Sequence, residues 1–240
     1  QRGEPEAAAQ ALARVAGPLP GPLEEERLLL AGQVRLALGD TGGAAQALRS
    51  LLARPPLALP DEAAAADGAA SPRPNLFLRA GSWLADAFTL RLFLRPPART
   101  SNAAHYARYN LGIALIRGGD LAGGRAALDE LGRTDMRDEE GRSLRDQANL
   151  ALGFAALTAG DAEAASAALE RVRLHGRHAN KALLGFGWAA AARQQPRQAL
   201  VPWMELLRRD PTDPAVLEAR IAVPHALAEA GAPGQALARY

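Results

Sequence analysis

Residues 149–172 read Asn-Leu-Ala-Leu-Gly-Phe-Ala-Ala-Leu-Thr-Ala-Gly-Asp-Ala-Glu-Ala-Ala-Ser-Ala-Ala-Leu-Glu-Arg-Val. Apolar residues recur at helical spacing as far as Leu157, Gly160-Asp161 interrupts the run, and an alanine-rich helical pattern resumes. The stretch therefore predicts a helix, a tight turn and a second helix. Gly153 falls where the two helices must approach closely, because a side chain there would hold the backbones apart.

The same punctuation returns elsewhere. A glycine stands seven residues before a second glycine at Gly32/Gly39, Gly112/Gly119 and Gly153/Gly160, and an aspartate follows each time (Asp40, Asp120, Asp161). A fourth copy keeps Gly187 but has Gln194 at the turn. Past the turn, a small residue precedes a bulky one by four: Ala44/Leu48, Gly124/Leu128, Ala165/Leu169, Ala199/Trp203. Pro56 and Pro211, eight beyond Leu48 and Trp203, close two of these second helices.

This pattern resembles the tetratricopeptide repeat, a unit of about 34 residues folded as two antiparallel helices. Gly160 and Gln194 are 34 residues apart, whereas Gly119 and Gly160 are 41 apart, which places an insertion of seven around residues 134–142. The resemblance implies an all-α, right-handed superhelical solenoid in which each helix pair touches only its neighbours. It also implies a bacterial protein of the repeat-containing kind that binds other proteins.

The ends keep the same offsets. Gly3, Ala8, Leu12, Val15 and Pro20 match Gly39, Ala44, Leu48, Leu51 and Pro56; Gly231, Ala236 and Tyr240 match a turn glycine, a small and a bulky residue. The chain is thus expected to be a segment of a longer protein, opening in one repeat and stopping inside another. Expected helices span 4–16, 24–38, 42–54, 103–117, 121–131, 143–159, 162–174, 178–193, 197–209 and 214–230, with a kink or an early end at Pro224. Residues 60–74 read as a loop, and 75–94 as an irregular helix that fits no repeat offset. The expected organisation is repeats over 1–56, an irregular segment over 57–100 and repeats over 101–240.

Composition agrees with stacked helices. Hydrophobic residues make up 48% but aromatics only 5%, so alanine, the best helix former, carries much of the apolar content. Net charge is +2 and no block of like charges occurs, which argues against a nucleic-acid footprint. The chain has no cysteine, which removes disulfides, thiolate metal sites and a cysteine nucleophile. Its longest apolar run, 76–94, is broken by Arg79, Asp86 and Arg91, so no span crosses a bilayer, and membrane association is expected only through flanking sequence. Compartment would be set by that sequence too; periplasm or cell envelope is preferred to cytoplasm.

Candidate chemistry is sparse. His175 and His178 lack a carboxylate at ligand spacing and read as a solvated turn; His105 and His225 are isolated on helices. Asp138, Glu139 and Glu140 read as a charge run at a helix N-terminus. Gly-x-Ser-x-Gly is absent, and Gly118-Gly119 and Gly123-Gly124 neither follow strands nor precede a lysine. The reading is a non-enzyme with no metal and no cofactor.

A binding groove is the stronger candidate. The resemblance implies that first helices line a concave, ligand-binding surface. Helical spacing puts Tyr106, Tyr109, Ile113 and Ile116 on one stripe, and aligning the glycines adds Leu150, Phe154 and Leu157, then Leu184 and Trp188. Such a stripe suits an amphipathic helix or an extended apolar peptide. The competing use is packing against neighbouring repeats or under the 75–94 helix. Family members that grip a C-terminal carboxylate use Lys, Asn and Arg on successive first helices. Only Asn110 matches here, with Ala151 and Gly185 at the equivalent places, so no carboxylate clamp is expected. The expectation is a scaffold or adaptor for a protein or peptide partner. Rival readings are an envelope structural component, a docking arm for an enzyme domain outside the segment, and an RNA-binding repeat, which the apolar stripe disfavours.

Overall fold

The computed structural model describes residues 3–15, 17, 19–54 and 102–239; the expected loop 60–74 and helix 75–94 lie outside them. Every regular element among these residues is a helix: α1 Gly3–Ala13, α2 Gly21–Ala37, α3 Thr41–Leu52, α4 Ala103–Arg117, α5 Leu121–Arg133, α6 Glu139–Thr158, α7 Ala162–Leu169, α8 Ala179–Ala192, α9 Pro196–Leu206, α10 Pro214–Glu229 and α11 Pro233–Leu237. They form two compact units, Gln1–Gly124 and Arg125–Tyr240. In the first, α3 packs on α2 and α4; in the second, α6 pairs with α7, α8 with α9 and α10 with α11. The architecture is a stack of antiparallel helix hairpins.

One turn chemistry joins every pair. Gly39, Gly119, Gly160 and Gly231 take φ of +83°, +91°, +77° and +82°. The next N–H then donates back across the turn: Asp40 to Arg35 O, Asp120 to Leu115 O and Asp161 to Ala156 O, all at 2.9 Å. This closure satisfies carbonyls that a helix end leaves without partners. The aspartate does a second job as N-cap of the following helix. Asp40 accepts from Gly43 N at 2.8 Å, Asp120 from Gly123 N at 2.9 Å and Asp161 from Ala164 N at 3.0 Å.

Gln194 holds the same turn position with φ +57°, yet Gln195 N still reaches Ala190 O at 3.0 Å. A residue with a Cβ is strained in this left-handed region by about 1–2 kcal/mol. Gln194→Gly removes that strain and loses part of the gain to extra freedom in the unfolded chain. We expect a net stabilisation of about 0.5–1 kcal/mol, read as a higher urea midpoint. A lower midpoint would show that the turn carries no strain.

The glycines inside the first helices are contact points. A Cβ on Gly32 would lie 2.6 Å from Leu48, and one on Gly153 would lie 2.5 Å from Leu169. At Gly187 it would fall inside the Trp203 indole. In these three hairpins the glycine meets the bulky residue sixteen positions later.

Three expectations need correction. α10 neither stops nor starts anew at Pro224 but runs on to Glu229. Pro224 stands seven residues before Gly231, at the register position of the other glycines. It is buried together with Val223, Ala226 and Leu227, and that packing outweighs the missing N–H. The insertion is only partly loop: residues 134–138 connect the helices, while α6 begins at Glu139, four residues before the expected start, with Asp138 capping Gly141 N at 2.6 Å. Finally, α7 ends at Leu169 and not at residue 174. The chain turns out of the helix after Glu170, and three residues on Arg173 donates its Nε–H to the buried carboxylate of Asp146 at 2.7 Å.

Candidate functional site

The nine residues predicted for the groove separate into two classes. In the first unit, Tyr109 and Asn110 of α4 are buried, and Tyr106 and Ile113 are half-buried against the α2–α3–α4 core. In the second unit, Leu150 of α6 is buried among Leu169, Val172 and Ala182, and Leu184 of α8 is buried against α9 and α10. Leu157 is half-buried beside Ala156, Ala165 and Ala189. Phe154 and Trp188 are open, at 37% and 38% exposure.

Register explains the division. Tyr109, Leu150 and Leu184 stand three residues before the helix glycine and face the neighbouring helices. Phe154 and Trp188 stand one residue after it and are exposed, whereas Ile113, at the same position of α4, is half-buried against its core. Four residues advance a helix by about 40° beyond a full turn, enough to carry a side chain from a seam to a surface.

Phe154 lies across the α6–α8 seam. A Cβ on Gly185 would come within 3.2 Å of its ring edge, so the absent side chain gives the ring room. Trp188 is fixed more firmly. Its indole N–H donates to Glu218 of α10 at 2.9 Å, and its ring meets Trp203 edge-on, centroids 5.0 Å apart at 70°. Trp203 itself is 1% exposed and donates to the Leu184 carbonyl at 3.1 Å. Between α8 and α10 opens a cavity of about 320 Å³, lined by Trp188, Trp203, the alanines 191, 192, 222 and 226, His225 and Glu229.

Sequence reasoning missed Trp203, Glu218, His225 and Glu229 as neighbours of Trp188, because they come from two other helices. One signal was present. His225 follows Pro224 as Trp188 follows Gly187, so the repeat register puts both on the same face.

Polar contacts elsewhere join hairpins. Asp129 of α5 accepts from Arg133 Nε at 2.7 Å and from Arg171 Nη2 at 2.8 Å. Asn149 of α6 donates to the Gly132 carbonyl at 2.9 Å, and Asn180 of α8 donates to Asp213 at 2.8 Å. The histidine pair is not a ligand set: His175 is exposed, His178 is half-buried at the start of α8, and among the described residues no three His, Cys, Asp or Glu cluster for a metal. Among these residues no helix is long and apolar enough to cross a membrane.

Two of the shifted groups, His178 and Asp129, bear on the pH dependence of stability. Burial pushes the His178 imidazole down, aided by Arg177, Lys181 and Arg173 and opposed by Asp146. For Asp129, burial pushes up but the bonds from Arg133 and Arg171 prevail, leaving its carboxyl below the usual range. A histidine with a depressed folded pKa costs stability as pH falls below about 6.5, where the unfolded chain begins to take the proton. A depressed carboxylate contributes stability above about pH 4 and loses it as pH falls through its folded value. Urea midpoints are therefore expected to drop in two stages, below about pH 6.5 and below about pH 4. His178→Gln should flatten the first stage; an unchanged slope there would remove His178 from the account.

No protein-family model and no curated protein matches the chain. Among solved structures, the chain is similar to that of a Podosopora anserina protein described as a kinesin light chain with nearly identical TPR-like repeats. The two share 13% identity over 92% of this chain and 93% of that one, with a TM-score of 0.56. At that identity the likeness is one of fold, and the fold of this chain is TPR-like.

Proposed function

We propose that the chain is a non-enzymatic scaffold that holds a segment of a partner protein against the open face of its first helices. The observation that carries this reading is the aromatic pair Phe154 and Trp188, exposed at the same register position of α6 and α8. Rings with few rotatable bonds bury a large area at low ordering cost, which is why they serve as anchors at interfaces. Helices fixed by glycine contacts and closed turns present such anchors preformed, so the partner segment bears most of the ordering cost.

The test starts from random dodecamers displayed on phage and selected on the immobilised chain. Phe154→Ala and Trp188→Ala are expected to weaken the selected peptide by about tenfold or more each, as for anchor residues, a larger loss than that in melting temperature. Equal titration curves for wild type and both variants would retire the groove, as would selection that enriches no sequence.

A further inference from the structure

We infer that the cavity between α8 and α10 is a subsite for an arginine side chain of the bound segment, an assignment that deepens the scaffold reading and rests on it. Size comes first. At about 320 Å³ the cavity is at the lower end for ligand sites, too small for a cofactor and suited to one long side chain. Its walls are the Trp188 ring and four alanines, which accept an aliphatic stem.

Charge then selects the head group. Glu229 is half-exposed at the lining, and no Lys or Arg lines the cavity. Its partner His225 stands off at 3.7 Å, a distance that leaves carboxylate lone pairs for a donor. Glu218 accepts the Trp188 indole proton at 2.9 Å, and an anion on that N–H enriches the ring face that a cation would approach. Both α8 and α10 end beside the cavity, at Ala192 and Glu229, so the negative ends of two helix dipoles point the same way. A planar guanidinium uses all of this at once: it stacks on Trp188 and forks onto Glu229, whereas an ammonium offers a single hydrated charge.

The experiment titrates N-acetyl-arginine methylamide into the ¹⁵N-labelled 240-residue chain and follows the indole N–H signals, assigned with Trp188→Phe. The neutral isostere N-acetyl-citrulline methylamide is the control. The Trp188 signal is expected to move and saturate in the millimolar range with arginine only, and Glu229→Gln to weaken binding about fivefold, the upper range for an exposed ion pair. Equal responses to arginine and citrulline, wild-type affinity in Glu229→Gln, or no movement with either probe would overturn the assignment. Its failure is separable from that of the groove. Selected dodecamers that lose affinity with Phe154→Ala but not with Glu229→Gln leave the groove standing and remove the arginine. Arginine binding without any selected peptide does the reverse.

Discussion

Trp203→Ala is expected to destabilise the second unit by about 3–5 kcal/mol, the range for removing a fully buried indole. Three losses combine. The ring is 1% exposed, so its removal leaves a void between α8, α9 and α10. The Leu184 carbonyl loses a donor at 3.1 Å, and Trp188 loses the ring against which it stands. Gly187 supplies the sharper diagnosis. Its missing side chain is what lets the indole lie on the α8 backbone. Alanine there gains about 1 kcal/mol of helix propensity, but overpacking costs about 1–3 kcal/mol or more. Gly187→Ala alone should therefore lower stability; combined with Trp203→Ala it should raise it relative to Trp203→Ala. Urea unfolding of the four proteins reads this sign change. Additive effects would mean that the two positions do not meet, against the hairpin register itself.

That register was legible because it is local. Gly153 and Leu169, or Gly187 and Trp203, sit sixteen residues apart within one hairpin, so their pairing needs no knowledge of other repeats. The turns were legible for the same reason: a glycine then an aspartate closes one helix and caps the next. The early end expected at Pro224, since a proline inside a helix normally breaks it, does not occur, because here the burial of its neighbours overrides that rule. The acidic run Asp138–Glu140 reads as a helix N-terminus, which it is, yet the expected start of α6 falls four residues late because the insertion counts there as loop.

The candidate site was legible in half. Periodicity put Leu184 and Trp188 on one stripe, but which of them a neighbour covers depends on where α10 lies. A period of 3.6 residues cannot carry that information. The cavity needs side chains from three helices, and charged residues such as Glu218 and Glu229 read in sequence as solvent-facing. The proposed arginine subsite was therefore hidden, while the exposed register positions of Phe154 and Trp188 were visible.

Asp146 is the second large effect, and sequence gave no hint of it, since a charged residue on a helix reads as solvated. Its side chain is fully buried in α6. It accepts from Arg173 Nε at 2.7 Å, and Gly176 packs so closely that a Cβ would sit 3.0 Å from its Oδ2. Arg173 turns its other nitrogens to Glu139, at 2.8 and 3.0 Å, so one guanidinium ties the segment after α7 to two points about two turns apart near the start of α6. Removing one member of a buried pair costs about 3–5 kcal/mol because the other charge loses its partner. Here Arg173 keeps Glu139 and is 27% exposed, so water compensates part of the loss. Asp146→Ala is therefore placed at the low end, about 2–3 kcal/mol by urea unfolding. Replacing both partners removes the stranded charge, so Asp146→Leu with Arg173→Met should recover most of that loss. A double variant as unstable as Asp146→Ala would mean that the carboxylate serves the backbone of residues 173–176 and not the arginine. A single variant within about 0.5 kcal/mol of wild type, as for an ordinary surface change, would mean that it serves neither.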